Sequence, residues 1–138
     1  MIYKQNLWVG VGFQKGISQE LINSSIKKVF DEHELVYAHI AGIATIDNKA
    51  SEIALLKFCQ LEKFPLRTFS AELLNRVFVP NPNHNIIKLM GTSSIAEASA
   101  ILAAGERRSE EIKLLVSKQI FRLPEIGLSL TIAVAKSS

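Results

Sequence analysis

The chain has 138 residues, of which 48% are hydrophobic and 21% charged, and its formal net charge is +3. This length suits one domain, 1–138, with enough apolar surface for a core without disulfides or a structural metal. The single cysteine, Cys59, excludes an intrachain disulfide and a cysteine-rich zinc site. Because the sequence shows neither a signal peptide nor an apolar run of about 18 residues, we expect a cytoplasmic protein without membrane contact.

Positive charges are scattered along the chain rather than concentrated. The isoelectric point is about 9.1, yet lysines and arginines alternate with acidic residues throughout. Nucleic-acid binding normally uses a massed basic patch, so we expect no nucleic acid partner. An anionic small molecule fits this charge balance equally well. Nucleic-acid binding through a basic surface is therefore the least favoured of the three functional hypotheses, and the other two are given below with the family resemblance.

Strands and helices alternate in the first half of the chain. The apolar run 7–13 predicts a strand, and the glycine turn 12–16 connects it to a helix over 18–33 that is capped by Ser18. The β-branched run 36–46 predicts a strand buried on both faces. A helix over 50–63 follows and stops at Pro65, and a short strand over 66–69 leads to a helix over 71–76 capped by Ser70.

The second half predicts a turn, two helices and a hairpin. Prolines at 80 and 82 exclude regular helix there, and residues 85–90 favour a short helix. Ser94 and Glu97 form a capping box for a helix over 95–104, which Gly105 terminates. Apolar segments at 113–121 and 128–136 predict an antiparallel hairpin. The sequence therefore predicts an α/β fold of three layers, α/β/α, with a mixed sheet closed by this C-terminal antiparallel hairpin.

Four short phrases, in order, resemble one family. They are Ala-Thr-Ile-Asp-Asn-Lys-Ala at 44–50, Phe-Ser-Ala-Glu-Leu at 69–73, Val-Pro-Asn-Pro at 79–82 and Gly-Thr-Ser-Ser-Ile-Ala-Glu-Ala at 91–98. The sequence resembles the cobalamin-biosynthesis family that comprises the C-terminal domain of cobalt-precorrin-5A hydrolase (CbiG) and the stand-alone protein CobE. One departure stands at 12–16, where the family commonly has Gly-Cys-Arg-Arg-Gly and this chain has Gly-Phe-Gln-Lys-Gly. A cysteine-dependent role and one positive charge are absent from that turn.

The resemblance implies a three-layer fold and a corrinoid intermediate as the ligand. In the hydrolase, the reaction attributed to the family opens a δ-lactone on the macrocycle and releases acetaldehyde. The alternative implied by the stand-alone member is a non-catalytic protein that binds or carries a corrinoid for another enzyme of the cobalamin pathway, which would be a protein partner. Any cobalt would arrive inside the macrocycle, so we expect no separate cofactor. The three histidines, His33, His39 and His84, lack the spacing of a metal site.

In open α/β sheets, ligands bind beyond the carboxyl ends of the strands, where helix N-termini present backbone amides. Three predicted strand-to-helix junctions meet this description: the glycine turn, the segment after Ile46 and the segment after Phe69. The substrate-binding candidates come from these junctions, from polar residues of the family phrases and from one lysine before the hairpin. They are Gly12, Lys15, Gly16, Ser70, Glu72, Asn81, Thr92, Ser93 and Lys118.

Asp47 and Lys49 are the catalytic candidates. A carboxylate after a strand could act as general base for a water that attacks a lactone, and the ammonium could stabilise the oxyanion or hold an acetate side chain. The alternative is that Asp47 caps the helix that begins near residue 50. Ser70 has the same two interpretations, as ligand contact or as helix cap. The capping box with Ser94 favours a structural role for Glu97.

Overall fold

Five strands form one mixed sheet in the order β3-β2-β1-β5-β4. The computed structural model describes residues 4–14, 16–49, 52–76, 95–105, 112–123, 125 and 127–137. The strands are β1 (Leu7–Phe13), β2 (Ile40–Ile46), β3 (Leu66–Phe69), β4 (Ile112–Leu123) and β5 (Leu128–Ser137), and the helices are α1 (Gln19–Glu32), α2 (Ile53–Glu62), α3 (Ala71–Asn75) and α4 (Ile95–Gly105). Within these residues, no helix is long and apolar enough to cross a bilayer.

The direction of the strands sets which chain segments meet. Strands β1, β2 and β3 are parallel, whereas β5 is antiparallel to both β1 and β4. The carboxyl ends of the three parallel strands therefore share one edge, which we call the carboxyl edge. The β4–β5 hairpin turns at the same edge, because Phe13 pairs with Leu130 and Leu123 pairs with Leu128.

Side-chain alternation along β1 divides the core into two layers. Val9 and Val11 point to the face that packs against α1 and α2, and both are fully buried. Trp8 points to the other face and packs with alanines of α4 and Leu74 of α3. Successive residues of a strand face opposite sides, so one central strand supplies both cores. The three-layer α/β/α fold with its mixed sheet and C-terminal hairpin is confirmed.

Helix α4 packs unusually close to the sheet. A Cβ atom at Gly10 would overlap the carbonyl oxygen of Ala96 and lie 3.0 Å from the backbone nitrogen of Ala100. The hydroxyl of Ser99 donates to the carbonyl of Ala44 at 3.3 Å, which joins the helix to β2. The small residues that the sequence placed on this helix therefore permit backbone-to-backbone contact.

The starts of two elements differ from the sequence prediction by three or more residues. The strand predicted over 36–46 begins at Ile40, because Tyr37–His39 form a 3-10 turn. Here the Tyr37 hydroxyl donates to Glu62 Oε1 at 2.7 Å and its ring packs edge-on against Phe30, so tertiary contacts bend this segment. His39 accordingly lies in that turn rather than inside a strand. The helix predicted from residue 50 begins at Ile53.

Cys59, which is buried, and Tyr37, which is partly buried, lie on the α1–α2 face of the sheet and have raised pKa values. Burial raises the pKa of the Cys59 thiol to about 12. Burial, together with the hydrogen bond to Glu62, raises the pKa of the Tyr37 hydroxyl well above its usual value. Charged forms are disfavoured where water is excluded. Cys59 is therefore a protonated core residue.

Helix caps and the hairpin follow the prediction. The Oγ of Ser18 accepts from the Leu21 amide at 3.1 Å at the start of α1. The hairpin strands are longer than predicted, and β4 carries two irregularities in register, between Leu114 and Val116 and between Val116 and Gln119. Bulges of this kind twist an edge strand away from uncontrolled pairing. The turn and short helix predicted over 77–90 lie outside the described residues.

Candidate functional site

Asp47 and Lys49 occupy a 3-10 turn, Asp47–Lys49, directly after β2. The turn continues toward α2 through a hydrogen bond from the Glu52 amide to the Lys49 carbonyl at 3.1 Å. Asp47 is exposed, and no hydrogen bond or ion pair engages its carboxylate within the described part of the chain. An uncommitted carboxylate thus stands at the carboxyl edge.

The structure rejects the capping alternative for Asp47. Helix α2 starts at Ile53, and its N-cap is Glu52, whose side chain makes no capping hydrogen bond. Asp47 precedes the helix by six positions, too far for its carboxylate to accept from the first-turn amides as a cap does. The sequence suggested Asp47 as a cap because it predicted that the helix begins at residue 50 rather than at Ile53.

Lys49 leans across from β2 to the end of β1. Its Nζ lies 5.2 Å from the centroid of the Phe13 ring, within the range of a cation–π contact. Phe13 is 5% exposed and belongs to the α1–α2 core, so its ring is held by packing, and Lys49 as a residue is half-buried. This contact brings together two of the predicted strand-to-helix junctions, the glycine turn after β1 and the segment after Ile46. Sequence reasoning did not single out Phe13 as a site residue, because nothing local relates positions 13 and 49.

The glycine turn is tied to the hairpin. Gln14 Oε1 accepts from the Ser129 amide at 2.7 Å, which links the end of β1 to the start of β5. Gly12 is buried at the end of β1, and Gly16 has φ +104°, a conformation that L side chains rarely adopt. The turn therefore needs glycine at position 16 for its geometry. Gln14, which the sequence showed only as a departure from the family, has a structural role here.

Ser70 and Glu72 reach the carboxyl edge but are engaged in local structure. The Ser70 Oγ accepts from the Leu73 amide at 3.1 Å and caps α3. Glu72 is 77% exposed and pairs with Arg76 one helical turn later at 2.8 Å. An exposed pair of this kind contributes less than about 1 kcal/mol. The capping interpretation of Ser70 is correct, and its role as a ligand contact stays a prediction.

Lys118 lies inside β4, within the second register irregularity, rather than at the carboxyl edge. Its backbone amide donates to Glu97 Oε2 at 3.0 Å. Glu97 lies on the first turn of α4 and is 3% exposed, and its carboxylate connects this helix to the edge strand β4. The predicted capping box is a separate matter, because its Ser94 lies outside the described residues. Three strand spacings, about 14 Å, separate β4 from β2. A ligand that contacts both Lys49 and Lys118 would have to span four strands.

The remaining candidates, Lys15, Asn81, Thr92 and Ser93, lie outside the described residues. Within the described ranges, no group of three His, Cys, Asp or Glu side chains is placed to hold a metal ion. The described site thus consists of one free carboxylate and one ammonium beside a glycine turn. Such a pair can bind an anionic group and take up a proton from water.

The fold and this edge define a three-layer α/β domain with a polar site at the carboxyl ends of parallel strands. A family model described as cobalamin synthesis G C-terminus matches residues 7–135. The chain belongs to this family, and it is a cobalamin-biosynthesis domain related to the C-terminal part of cobalt-precorrin-5A hydrolase.

Individual relatives agree with that assignment. A cobalt-precorrin-5A hydrolase of Priestia megaterium is 25% identical over 107 residues, and the match covers 78% of this chain but 29% of that protein. The crystal structure of CobE, a protein from the cobalamin biosynthetic pathway, aligns with a TM-score of 0.76 and 25% identity over 95% of this chain and 93% of CobE. The cobalamin biosynthesis protein chiG from Agrobacterium tumefaciens aligns with a TM-score of 0.70 and 21% identity over 96% of this chain and 98% of chiG, which shows the shared fold.

Proposed function

We propose that this domain binds a corrinoid intermediate of cobalamin biosynthesis at the carboxyl edge, and that Lys49 meets one of the ligand's carboxylates. The observation that carries the proposal is the position of Lys49, whose ammonium is held over Phe13 where β1 and β2 end. A fixed cation loses less conformational freedom on binding than a solvated lysine. The side chains of early corrinoids end in acetate and propionate, so a positive group suits them.

Asp47 supplies the chemistry in the catalytic form of this proposal. Its free carboxylate takes a proton from water while the water oxygen attacks the lactone carbonyl. The carbon–oxygen bond of the ring then breaks, and the proton passes from Asp47 to the departing alkoxide, which leaves a hydroxyl group and a carboxylic acid that loses its own proton to solvent. Lys49 stabilises the oxyanion formed during the attack. Release of acetaldehyde would follow from the opened ring.

A second candidate function is non-catalytic binding or transport of the corrinoid for another pathway enzyme. The exposure of Asp47 favours it, because catalytic bases are usually placed where water is excluded and electrostatic effects are strong. The chain spans under a third of the length of the hydrolase relative and nearly all of CobE.

Two measurements on the full chain test these proposals. Titration by visible absorbance with cobyrinic acid, whose side chains are free carboxylates, should give saturable binding, whereas the amidated corrinoid cobinamide should bind at least tenfold more weakly. Equal affinity for both, or no binding of either at high micromolar protein, would remove the proposed role of Lys49. Incubation with the lactone intermediate then separates the two functions, since acetaldehyde appears only if the chain is catalytic.

A further inference from the structure

A cavity of about 390 Å³ opens at the end of the sheet opposite the carboxyl edge. We call this end the amino edge, because β1 and β2 begin there. Residues from four separate segments line the cavity: the start of β1 with the residues just before it, the connection from α1 to β2, β4 and the end of β5. The proposed corrinoid site does not include it.

Basic groups outnumber acidic ones around this cavity. Lys4 and Lys136 contribute two exposed ammonium groups, and His39 contributes a half-buried imidazole. Glu34 is the single carboxylate among the lining residues. The charge balance is therefore positive at neutral pH and favours an anion, while Glu34 opposes it.

The backbone around the cavity is held in place before any ligand binds. Asn6, which is 8% exposed, donates its backbone amide to the His39 carbonyl at 3.1 Å. The Asn6 carbonyl accepts from the Ser137 amide at 2.9 Å, next to Lys136. Asn6 thus joins the segments that carry the imidazole and one ammonium. A preformed frame lowers the entropy that binding must overcome.

Apolar side chains complete the cavity. Leu7, which is 3% exposed, pairs in register with Lys136, so these two side chains share one face of the sheet. Leu35 packs against the same core, and Leu115 of β4, which also lines the cavity, is 38% exposed. A ligand seated here would contact both apolar surface and positive charge.

We propose that the amino-edge cavity binds a small amphipathic anion, namely a carboxylate or phosphate ester that carries a compact apolar group. The volume lies at the lower end of the range of small-molecule sites and is too small for a corrin macrocycle. The anion contacts Lys4 and Lys136, and its apolar part covers Leu7, Leu35 and Leu115. This site is independent of the corrinoid proposal.

Amide chemical shifts of the full chain, titrated with phenyl phosphate, test the proposal, with benzoate, inorganic phosphate and neutral benzyl alcohol as comparison probes. Phenyl phosphate or benzoate should give saturable shifts at Asn6, Leu35, Val36 and Lys136. Inorganic phosphate, which has no ring, and benzyl alcohol, which has no charge, should each bind at least threefold more weakly. Better binding of phenyl phosphate than of benzoate would assign a phosphate ester, and the reverse would assign a carboxylate.

Variants of the exposed charges give effects of opposite sign. Lys136→Met should weaken binding at least threefold, whereas Glu34→Gln should strengthen it by removing the opposing charge. Lys57→Met, on the exposed side of α2, is the matched control and should change nothing. Shifts scattered over the whole surface would overturn the proposal, as would failure to saturate by about 20 mM probe. Equal affinities in Lys136→Met, Glu34→Gln and the parent would also overturn it.

Discussion

The ammonium nitrogen of Lys49 lies 5.2 Å from the centroid of the Phe13 ring, and this contact joins the ends of two neighbouring parallel strands. A second contact of the same type, between Lys27 and the Tyr37 ring at 5.6 Å, involves α1 and the turn before β2, toward the amino edge. The two lysines therefore make comparable aromatic contacts at opposite ends of the sheet. They offer a matched pair for separating ligand binding from local packing.

Lys49→Met should weaken binding of cobyrinic acid at least tenfold, which corresponds to about 1.4 kcal/mol, because it deletes the charge and keeps the apolar stem. Lys27→Met should leave affinity unchanged. Both variants should lose no more than about 1 kcal/mol of unfolding free energy, the size of an exposed cation–π contact. Calorimetric titration and denaturant unfolding measure the two quantities. Lys118→Met belongs in the same series, since a loss there as well would indicate a ligand that spans four strands. Parental affinity in Lys49→Met would place the site elsewhere.

Asp47→Asn should lower the rate of lactone opening by about 10²-fold or more if Asp47 is the general base. Its unfolding free energy should stay within about 0.5 kcal/mol of the parent, because the exposed carboxylate neither caps a helix nor pairs with a described residue. Acetaldehyde release and thermal unfolding are the measurements. Asp31→Asn, exposed on α1, is the control that should retain full activity. Undiminished turnover in Asp47→Asn would exclude Asp47 as the base.

Gly10→Ala should destabilise the protein by roughly 1–3 kcal/mol or prevent folding, because the added Cβ meets the Ala96 carbonyl and neither backbone can give way. Gly105→Ala is the comparison. There the added Cβ would lie 2.8 Å from the Ile112 Cδ1, the far end of a flexible side chain that can turn aside. Urea unfolding should place Gly105→Ala within about 1 kcal/mol of the parent. Similar losses in both variants would contradict the close packing of α4 on β1.

Glu97→Ala should cost about 1–3 kcal/mol, because the Lys118 amide would lose a buried acceptor. Glu97→Gln keeps a side-chain oxygen in reach of that amide and should retain most of the stability. Amide exchange at Lys118 should accelerate in Glu97→Ala far more than in Glu97→Gln. If exchange at Lys118 is unchanged in Glu97→Ala, the helix-to-strand bond does not contribute to stability.

The raised pKa values of Cys59 and Tyr37 predict a loss of stability at alkaline pH. In the folded state the thiol keeps its proton up to a pKa of about 12, whereas the unfolded thiol ionises from an ordinary value near 9. The unfolded state therefore releases protons first, and the unfolding free energy should fall as pH rises from 9 toward 12. Cys59→Ser and Tyr37→Phe remove one titrating group each, so both should flatten this decline in pH-dependent unfolding. A parental slope in the double variant would assign the decline to other groups.

The order of elements and most of their bounds were predictable, because their signals are local. Ser18 and Ser70 cap helices that start at the next residue, and a strand made of a continuous apolar or β-branched run needs no distant partner to be recognised. The family phrases likewise located the strand ends where Asp47 and Ser70 stand. Capping and periodicity act over three or four residues, a range that a single sequence displays directly.

Tertiary structure decided what those residues contact. Strand β2 begins at Ile40 rather than at residue 36 because Tyr37 hydrogen-bonds to Glu62, 25 positions away. Gln14 hydrogen-bonds to Ser129 across 115 positions. Glu97 reaches the Lys118 amide, and Lys49 reaches Phe13, for the same reason: sheet order brings distant segments together. Sequence alone determined the family, the three-layer fold and the position of a carboxylate beside a lysine after β2, whereas the structure showed that this carboxylate does not cap α2. The partners of these side chains depended on packing, because contact energies between distant segments leave no periodic trace in the chain.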